Sequence, residues 1–314
     1  MYFPYFRGKQ NELILLRDNA ALFSDSKFTP IIEPVKTNLS TIKRALSALI
    51  EVKAEFVLVV NPKCGDLRDS TLVIDELLKD SLADYQGVKL GYILDEDTEL
   101  DDFIGFAADY PENKIALIHY GYSHGRILGE TVASLKNVAL HVFIEEHAHK
   151  RYRKNFNSGI DRVLIRDGFH RRSNREHPPL EHFSELHIMF SEEGMNGFGD
   201  FLITGDEYSE SGGPAYAVAI HLTFLDSDDE DDMFIKHYVS DRTNTPADPG
   251  GKFLEALRKL IHDIGVNKKI FRSQAVREFE SLNEKQHYPG LGSIKKLSMQ
   301  HHVELLANFF YEEE

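Results

Sequence analysis

Along the first half of the chain, groups able to do chemistry recur at the ends of apolar runs. Glu33 follows TPII, Asn61 and Lys63 follow FVLVV, and Asp95 follows GYIL. His119 ends KIALIH, Glu145 to His147 follow HVFI, and Asp167 closes DRVLIRD. Carboxylates at four of these positions and imidazole at a fifth suit a hard divalent ion, which takes oxygen donors with an occasional nitrogen. Glu33, Glu145 and Asp167 are the candidate metal ligands, with His119 as a fourth catalytic group. Such an ion would polarise a phosphoryl or carbonyl oxygen, or acidify a bound water. The competing reading is that strand-end carboxylates cap helices and pair with basic neighbours. Glu33 is the hardest to dismiss in that way, because it stands between Pro30 and Pro34 in apolar surroundings.

A second signal is charge. The chain carries a net charge of −15, yet Lys150, Arg151, Arg153, Lys154, Arg162, Arg166, Arg171, Arg172 and Arg175 are opposed locally only by Asp161 and Asp167. Arg166, Arg171 and Arg172 around Asp167 could hold a phosphate bidentately. Lys36, Asn61, Lys63 and Asp200 are further candidate ligand contacts. The ligand expected is a nucleotide, a phosphorylated metabolite or a nucleic-acid end. A long nucleic-acid track fits poorly with the repulsive overall field. The alternative is that HAHKRYRKNF is an outer helix with a solvated basic face.

Weaker signals lie further on. Tyr288 to Lys296 (YPGLGSIKK) opens a helix with glycines and lysines, which can hold phosphate through backbone N–H groups, although the spacing is not that of a P-loop. His221 and His237 fall on two strands of a hairpin and could be a cross-strand pair. His301 and His302 are adjacent on a helix, so they diverge by about 100°, one expected in the core and one in solvent. Ser209 to Gly213 (SESGG) lacks a nucleophile elbow, and Cys64 has no evident base.

These groups need elements to position them. Short apolar runs at 28–36, 55–62, 88–94, 114–120, 138–146 and 161–167 read as strands. Amphipathic helices near 39–54, 70–86, 99–110 and 125–136 separate them. That alternation means βαβ units and a parallel sheet. The first strand leads into Glu33-Pro34-Val35-Lys36 and not a glycine-rich phosphate turn, which favours a TIM-like (β/α) barrel over an open doubly wound sheet. Strand ends then converge on one mouth. Segments 187–194 and 198–205 compete for the seventh position. The chain is expected to form one domain over 1–314, with regular units over about 28–170. An antiparallel hairpin at 215–240 and helices over 251–311 would complete or cap the barrel.

The opening YFPYFRGKQNELILL and TPIIEPVK, with Lys9, Glu12, Pro30 and Glu33, resemble the phage and bacterial beta-protein family. So does GFGDFLITG (197–205), while SESGGPAYAVAIHLTF and YPGLGSIKKLSMQHH resemble a bacterial subgroup. The resemblance implies a barrel-like fold and a phage–host setting near defence and mobile-element genes. It supplies no catalytic residue. With one cysteine, no signal-peptide layout and no membrane-length apolar run, a cytoplasmic protein is expected. Two functions are open. One is a metal-assisted hydrolase or lyase acting on a phosphate-bearing ligand. The other is a non-catalytic sensor or regulatory subunit that binds a protein encoded by a neighbouring gene.

Overall fold

The computed structural model describes residues 1–312 except 69, 83, 157–158 and 211–212. Ser211 and Gly212 of the serine segment, and the terminal Glu313 and Glu314, therefore lie outside the described residues. The chain divides into two compact units, Met1–Asp167 with Leu186–Phe201, and Gly168–Glu185 with Leu202–Glu314.

The first unit is a TIM-like α/β barrel. Its strands are β1 (Tyr5–Phe6), β2 (Ile31–Ile32), β3 (Phe56–Val59), β4 (Val88–Leu94), β5 (Ile115–His119), β6 (Val138–Ile144) and β7 (Asp161–Ile165). β8 (Leu180–Ser184) belongs to the second unit, and β9 (Gly197–Gly199) is the eighth strand of the barrel. Each strand pairs in parallel with the next in that order. A bridge between Tyr2 and Phe198, with the Phe3 N–H donating to the Phe198 carbonyl at 2.8 Å, joins the first strand to the last. Closure needs glycine in β9, because a Cβ on Gly199 would lie 2.0 Å from the Phe3 carbonyl oxygen. Helices α1 (Gln10–Asp18), α2 (Ala20–Asp25), α3 (Ser40–Glu51), α4 (Leu100–Asp109), α5 (Gly125–Val132), α6 (Lys150–Arg153) and α7 (Leu186–Met189), with a π-helix at Val73–Ser81, complete this unit.

The barrel differs from the sequence expectation at both ends. Its first strand is Tyr5–Phe6, which hides in the sequence because Pro4 leaves it only two residues. The expected strand at 187–194 is instead the short helix α7, and the eighth position falls to 197–199.

The second unit holds an antiparallel sheet ordered β10 (Ala219–Asp226), β11 (Asp232–Val239), β8. The hairpin is therefore present where expected, but it forms its own sheet and completes no barrel, whose eight places are already taken. Helices α8 (Pro249–Val266), α9 (Gln274–Glu284) and α10 (Leu291–Glu312) bury Phe253, Leu257, Leu260, Val276 and Phe279 against Ile220 and Leu222 of the sheet. Among the described residues, no helix is long and apolar enough to cross a membrane.

Candidate functional site

Alternation along the strands decides which side chains reach the barrel interior. Tyr5, Ile31, Ile93, Ile118, Ile144 and Ile165 share one interior cluster. Two residues beyond the first two come Arg7 and Glu33, which face each other, 5% and 0% exposed. Arg7 donates to Glu33 Oε2 at 2.5 Å, Tyr5 donates to the same oxygen at 2.8 Å, and the Lys63 N–H donates to Oε1 at 2.9 Å. Arg7 also lies over the rings of Tyr5 and Phe201, at 5.0 and 5.2 Å, and reaches Cys64 Sγ at 3.5 Å. Both oxygens of Glu33 are thus engaged within the protein. The carboxylate expected to lead a metal site is the centre of a buried ion pair.

Of the other strand-end residues, Lys63 meets Glu33 through its backbone N–H, while His119 and Glu145 bind other partners. His119 follows the inward Ile118 and points outward, where Nδ1 meets the Tyr152 hydroxyl at 2.8 Å and Nε2 meets His141 Nδ1 at 3.0 Å. Its ring packs on Phe143 and Phe156, and this burial, with His141 beside it, pushes its pKa well below the ordinary value. Glu145 and Arg166 each follow an inward residue and bind one another, Nε to Oε2 at 2.5 Å and Nη2 to Oε1 at 3.2 Å. Asp200 accepts from the Tyr2 hydroxyl at 2.8 Å. Asp167, half-buried, ends the first segment of the barrel unit. Asn61 is tied to both backbone groups of Ile93, and Lys63 pairs with Asp95 at 3.0 Å. Burial raises the pKa of Asp95, but hydrogen bonds from Thr98 and Lys63 outweigh it and hold the carboxyl below its usual range. Lys36 pairs with Asp66 at 3.4 Å on the wall of a cavity of about 370 Å³.

The basic island divides with the chain. Its first part is absorbed in the barrel unit, where Lys150 pairs with Glu193 at 3.0 Å and Arg153 is buried beside Glu145 and Glu193. Its second part lines a cavity of about 820 Å³ in the second unit, whose walls include Arg171, Arg172, Arg175 and Lys295. The loop that carries the arginines is anchored. Asn174 donates to the Ala217 carbonyl at 2.9 Å, Arg172 to Glu181 at 2.9 Å, and Arg171 to the Glu207 carbonyl at 2.9 Å. Opposite it, Leu291, Ile294, Lys295 and Ser298 present one face of α10, as their three- and four-residue spacing requires. Ser298 is 1% exposed and its Oγ has no hydrogen-bond partner. The basic loop and the YPGLGSIKK turn, distant in sequence, thus meet around one space.

One wall of that cavity holds His177 and His221, and His237 lies behind them. One ring nitrogen from each lies within 4.8 Å of the others. His221 and His237 face each other in register on β10 and β11, with Nδ1 atoms 2.6 Å apart. His237 Nε2 meets Glu181 Oε1 at 2.9 Å. Burial lowers all three imidazole pKa values. His177 falls to about 4, helped by the nearby His237 and Arg172 charges. His221 falls well below its ordinary value, and His237 falls less because Glu181 opposes the shift.

No protein-family model and no curated protein matches the chain. Among solved structures, a protein from Coccidioides immitis provisionally assigned to the dihydrodipicolinate synthase family aligns with 97% of this chain and 86% of its own. The identity is 9% and the TM-score 0.41.

His177, Glu181 and Ser298 carry no motif and escaped the sequence reading. The pairing of His221 with His237 was visible, because both are equidistant from the acidic turn of the hairpin. His301 and His302 are both fully buried, against the expectation that one would meet solvent. His301 bridges Ser273 Oγ and the Thr223 carbonyl at 2.8 Å each, and His302 meets Thr223 Oγ1 at 2.9 Å. These contacts give the pair a role in holding α10 to the sheet.

Proposed function

We propose that this protein binds a phosphate-bearing small molecule in the cavity of its second unit and acts on it as a hydrolase. The observation that carries this reading is the convergence of Arg171, Arg172, Arg175 and Lys295 on a cavity that also exposes two imidazoles. A volume of about 820 Å³ is within the range of small-molecule sites, roughly 300–1,000 Å³. Arginine forks recognise phosphate oxygens geometrically, whereas lysine adds a point charge. Phe169, Tyr216 and Val218 supply an apolar and aromatic wall, so the ligand pairs an anionic end with a flat apolar one. The resemblance to the beta-protein family supports placing this activity in phage–host conflict, with a neighbouring-gene protein as partner.

The test is calorimetric titration of full-length protein, in chelator, with pyrophosphate and a nucleoside diphosphate. Saturable binding is expected, weakening as salt rises. Arg175→Ala and Lys295→Ala should each cost roughly ten- to a hundredfold in affinity, the worth of a charge-assisted hydrogen bond. Absence of binding, or binding indifferent to both substitutions, would overturn the reading. Binding without phosphate release in the presence of divalent metals would favour the sensor or regulatory subunit over the hydrolase.

A further inference from the structure

We infer that His177, His221 and His237 form a binding site for one zinc-type transition-metal ion, with its fourth position open to the cavity. The donor set is all imidazole, which suits zinc, copper, iron or nickel and not magnesium or calcium. Three protein ligands with one open position is the arrangement of zinc sites that do chemistry, whereas structural sites are closed by four.

The surroundings support an ion and not only a hydrogen-bonded relay. Glu181 accepts from His237 Nε2, which leaves His237 Nδ1 with its lone pair directed at His221. A carboxylate that fixes the tautomer and ring orientation of a ligating histidine is the usual outer partner of a metal site. His177 Nδ1 is buried, 3.8 Å from Glu181 Oε1 and without a hydrogen bond. Leaving such an atom unpaired costs about 1–3 kcal/mol, which a metal bond at that nitrogen would remove. Two imidazole nitrogens on a tetrahedral zinc lie about 3.3 Å apart, given bonds of about 2.0–2.1 Å. The His221–His237 pair at 2.6 Å reaches that by rotating its rings. In the ligand-free state the His221 Nδ1–H donates to His237, and metal binding moves that proton to His221 Nε2.

Among the three ligands there is no carboxylate, and Arg172 and Lys295 bear on the same rings. An ion here keeps its full positive charge, so the open position favours an anionic oxygen. That role rests on the cavity being an anion site, whereas the metal site itself does not. Glu181 is a positioning residue.

The experiment is equilibrium dialysis and visible spectroscopy of full-length, chelator-stripped protein with Co²⁺ and Zn²⁺ alone. One ion per chain is expected, with the intense cobalt absorption of four-coordination, displaced by zinc. His177→Gln and His221→Ala should each weaken binding at least tenfold, and Glu181→Gln roughly ten- to a hundredfold, with circular dichroism confirming the fold. Sub-stoichiometric binding, a weak six-coordinate cobalt spectrum, or affinity unchanged in both histidine variants would overturn the site. The wild-type spectrum decides the matter even where a variant fails to fold. Pyrophosphate binding in chelator without metal binding would overturn this site alone, and the reverse would overturn the anion reading alone.

Discussion

His221 and His237 stand directly opposite one another on β10 and β11, their Nδ1 atoms 2.6 Å apart in a buried setting. Only one proton fits between two such nitrogens. Since Glu181 takes the Nε2–H of His237 at 2.9 Å, that proton belongs to His221. A second proton would set two N–H groups against each other at 2.6 Å, so the contact holds a single proton. The cavity wall is therefore neutral imidazole beside charged arginine.

Stability should fall in mild acid for a related reason. His141, His177 and His301 have folded pKa values near 4, each depressed chiefly by burial. Above about pH 6.5 these rings are neutral in both states and add no pH dependence. Below it the unfolded chain takes up protons that the folded chain refuses, so stability is lost as pH falls toward 4. Each such ring contributes a slope of up to ~1.4 kcal/mol per pH unit in that window. Calorimetric melting from pH 8 to 4 should show a plateau and then a decline, shallower in His301→Gln. A Tm independent of pH between 6.5 and 4 would contradict the neutral assignment.

Glu33 is expected to govern stability. Its carboxylate holds Arg7, Tyr5 and the Lys63 amide at 0% exposure. Glu33→Ala leaves the Arg7 guanidinium without its buried counter-charge, a loss of about 3–5 kcal/mol. For a unit of this size that is roughly 10 °C in Tm. Replacing the pair together, Arg7→Met with Glu33→Leu, should recover much of it, since hydrophobic substitution of a whole buried pair is tolerated. Denaturant melts of the single and double variants decide this. A Glu33→Ala protein of native stability would instead restore the carboxylate as a site residue.

The barrel was readable because runs such as FVLVV and KIALIH are apolar on both faces, as parallel strands covered by helices must be. Tyr5–Phe6 was not, since its strand character comes from pairing with Ile31–Ile32 and not from its own length. Strand ends could be read, but the side they face turns on a single residue: Ile118 points in and His119 out. Glu33 was singled out as unusual, yet its partner Arg7 lies 26 residues upstream, directly after the strand that was missed. The cavity of the second unit was the least visible. Arg171 to Arg175 and Lys295 meet only through the docking of α10, which no local pattern encodes.

The two parts of the basic island should behave differently. Arg162 belongs to the barrel unit, where Nη2 donates to the Arg153 carbonyl at 3.3 Å, whereas Arg171 lines the cavity of the second unit. Arg162→Gln should leave pyrophosphate affinity within about twofold, while Arg171→Gln should weaken it several-fold and flatten its salt dependence. Equal losses in both would mean that general charge, and not the cavity, attracts the anion. Titrations at two ionic strengths separate the outcomes.

Ser298 offers a test in which stability and binding move in opposite directions. Its Oγ is buried on the cavity face of α10 without a partner. A buried hydroxyl left unpaired costs about 1–3 kcal/mol, so Ser298→Ala should raise the stability of the ligand-free protein by about 1 kcal/mol. If the hydroxyl is instead kept for a ligand oxygen, the same substitution should weaken pyrophosphate binding about three- to tenfold, the worth of one hydrogen bond. A stabilised variant with reduced affinity is the expected result, read from paired melting and titration experiments. A variant stabilised but binding normally would remove Ser298 from the site and leave the anion to the arginine loop and Lys295.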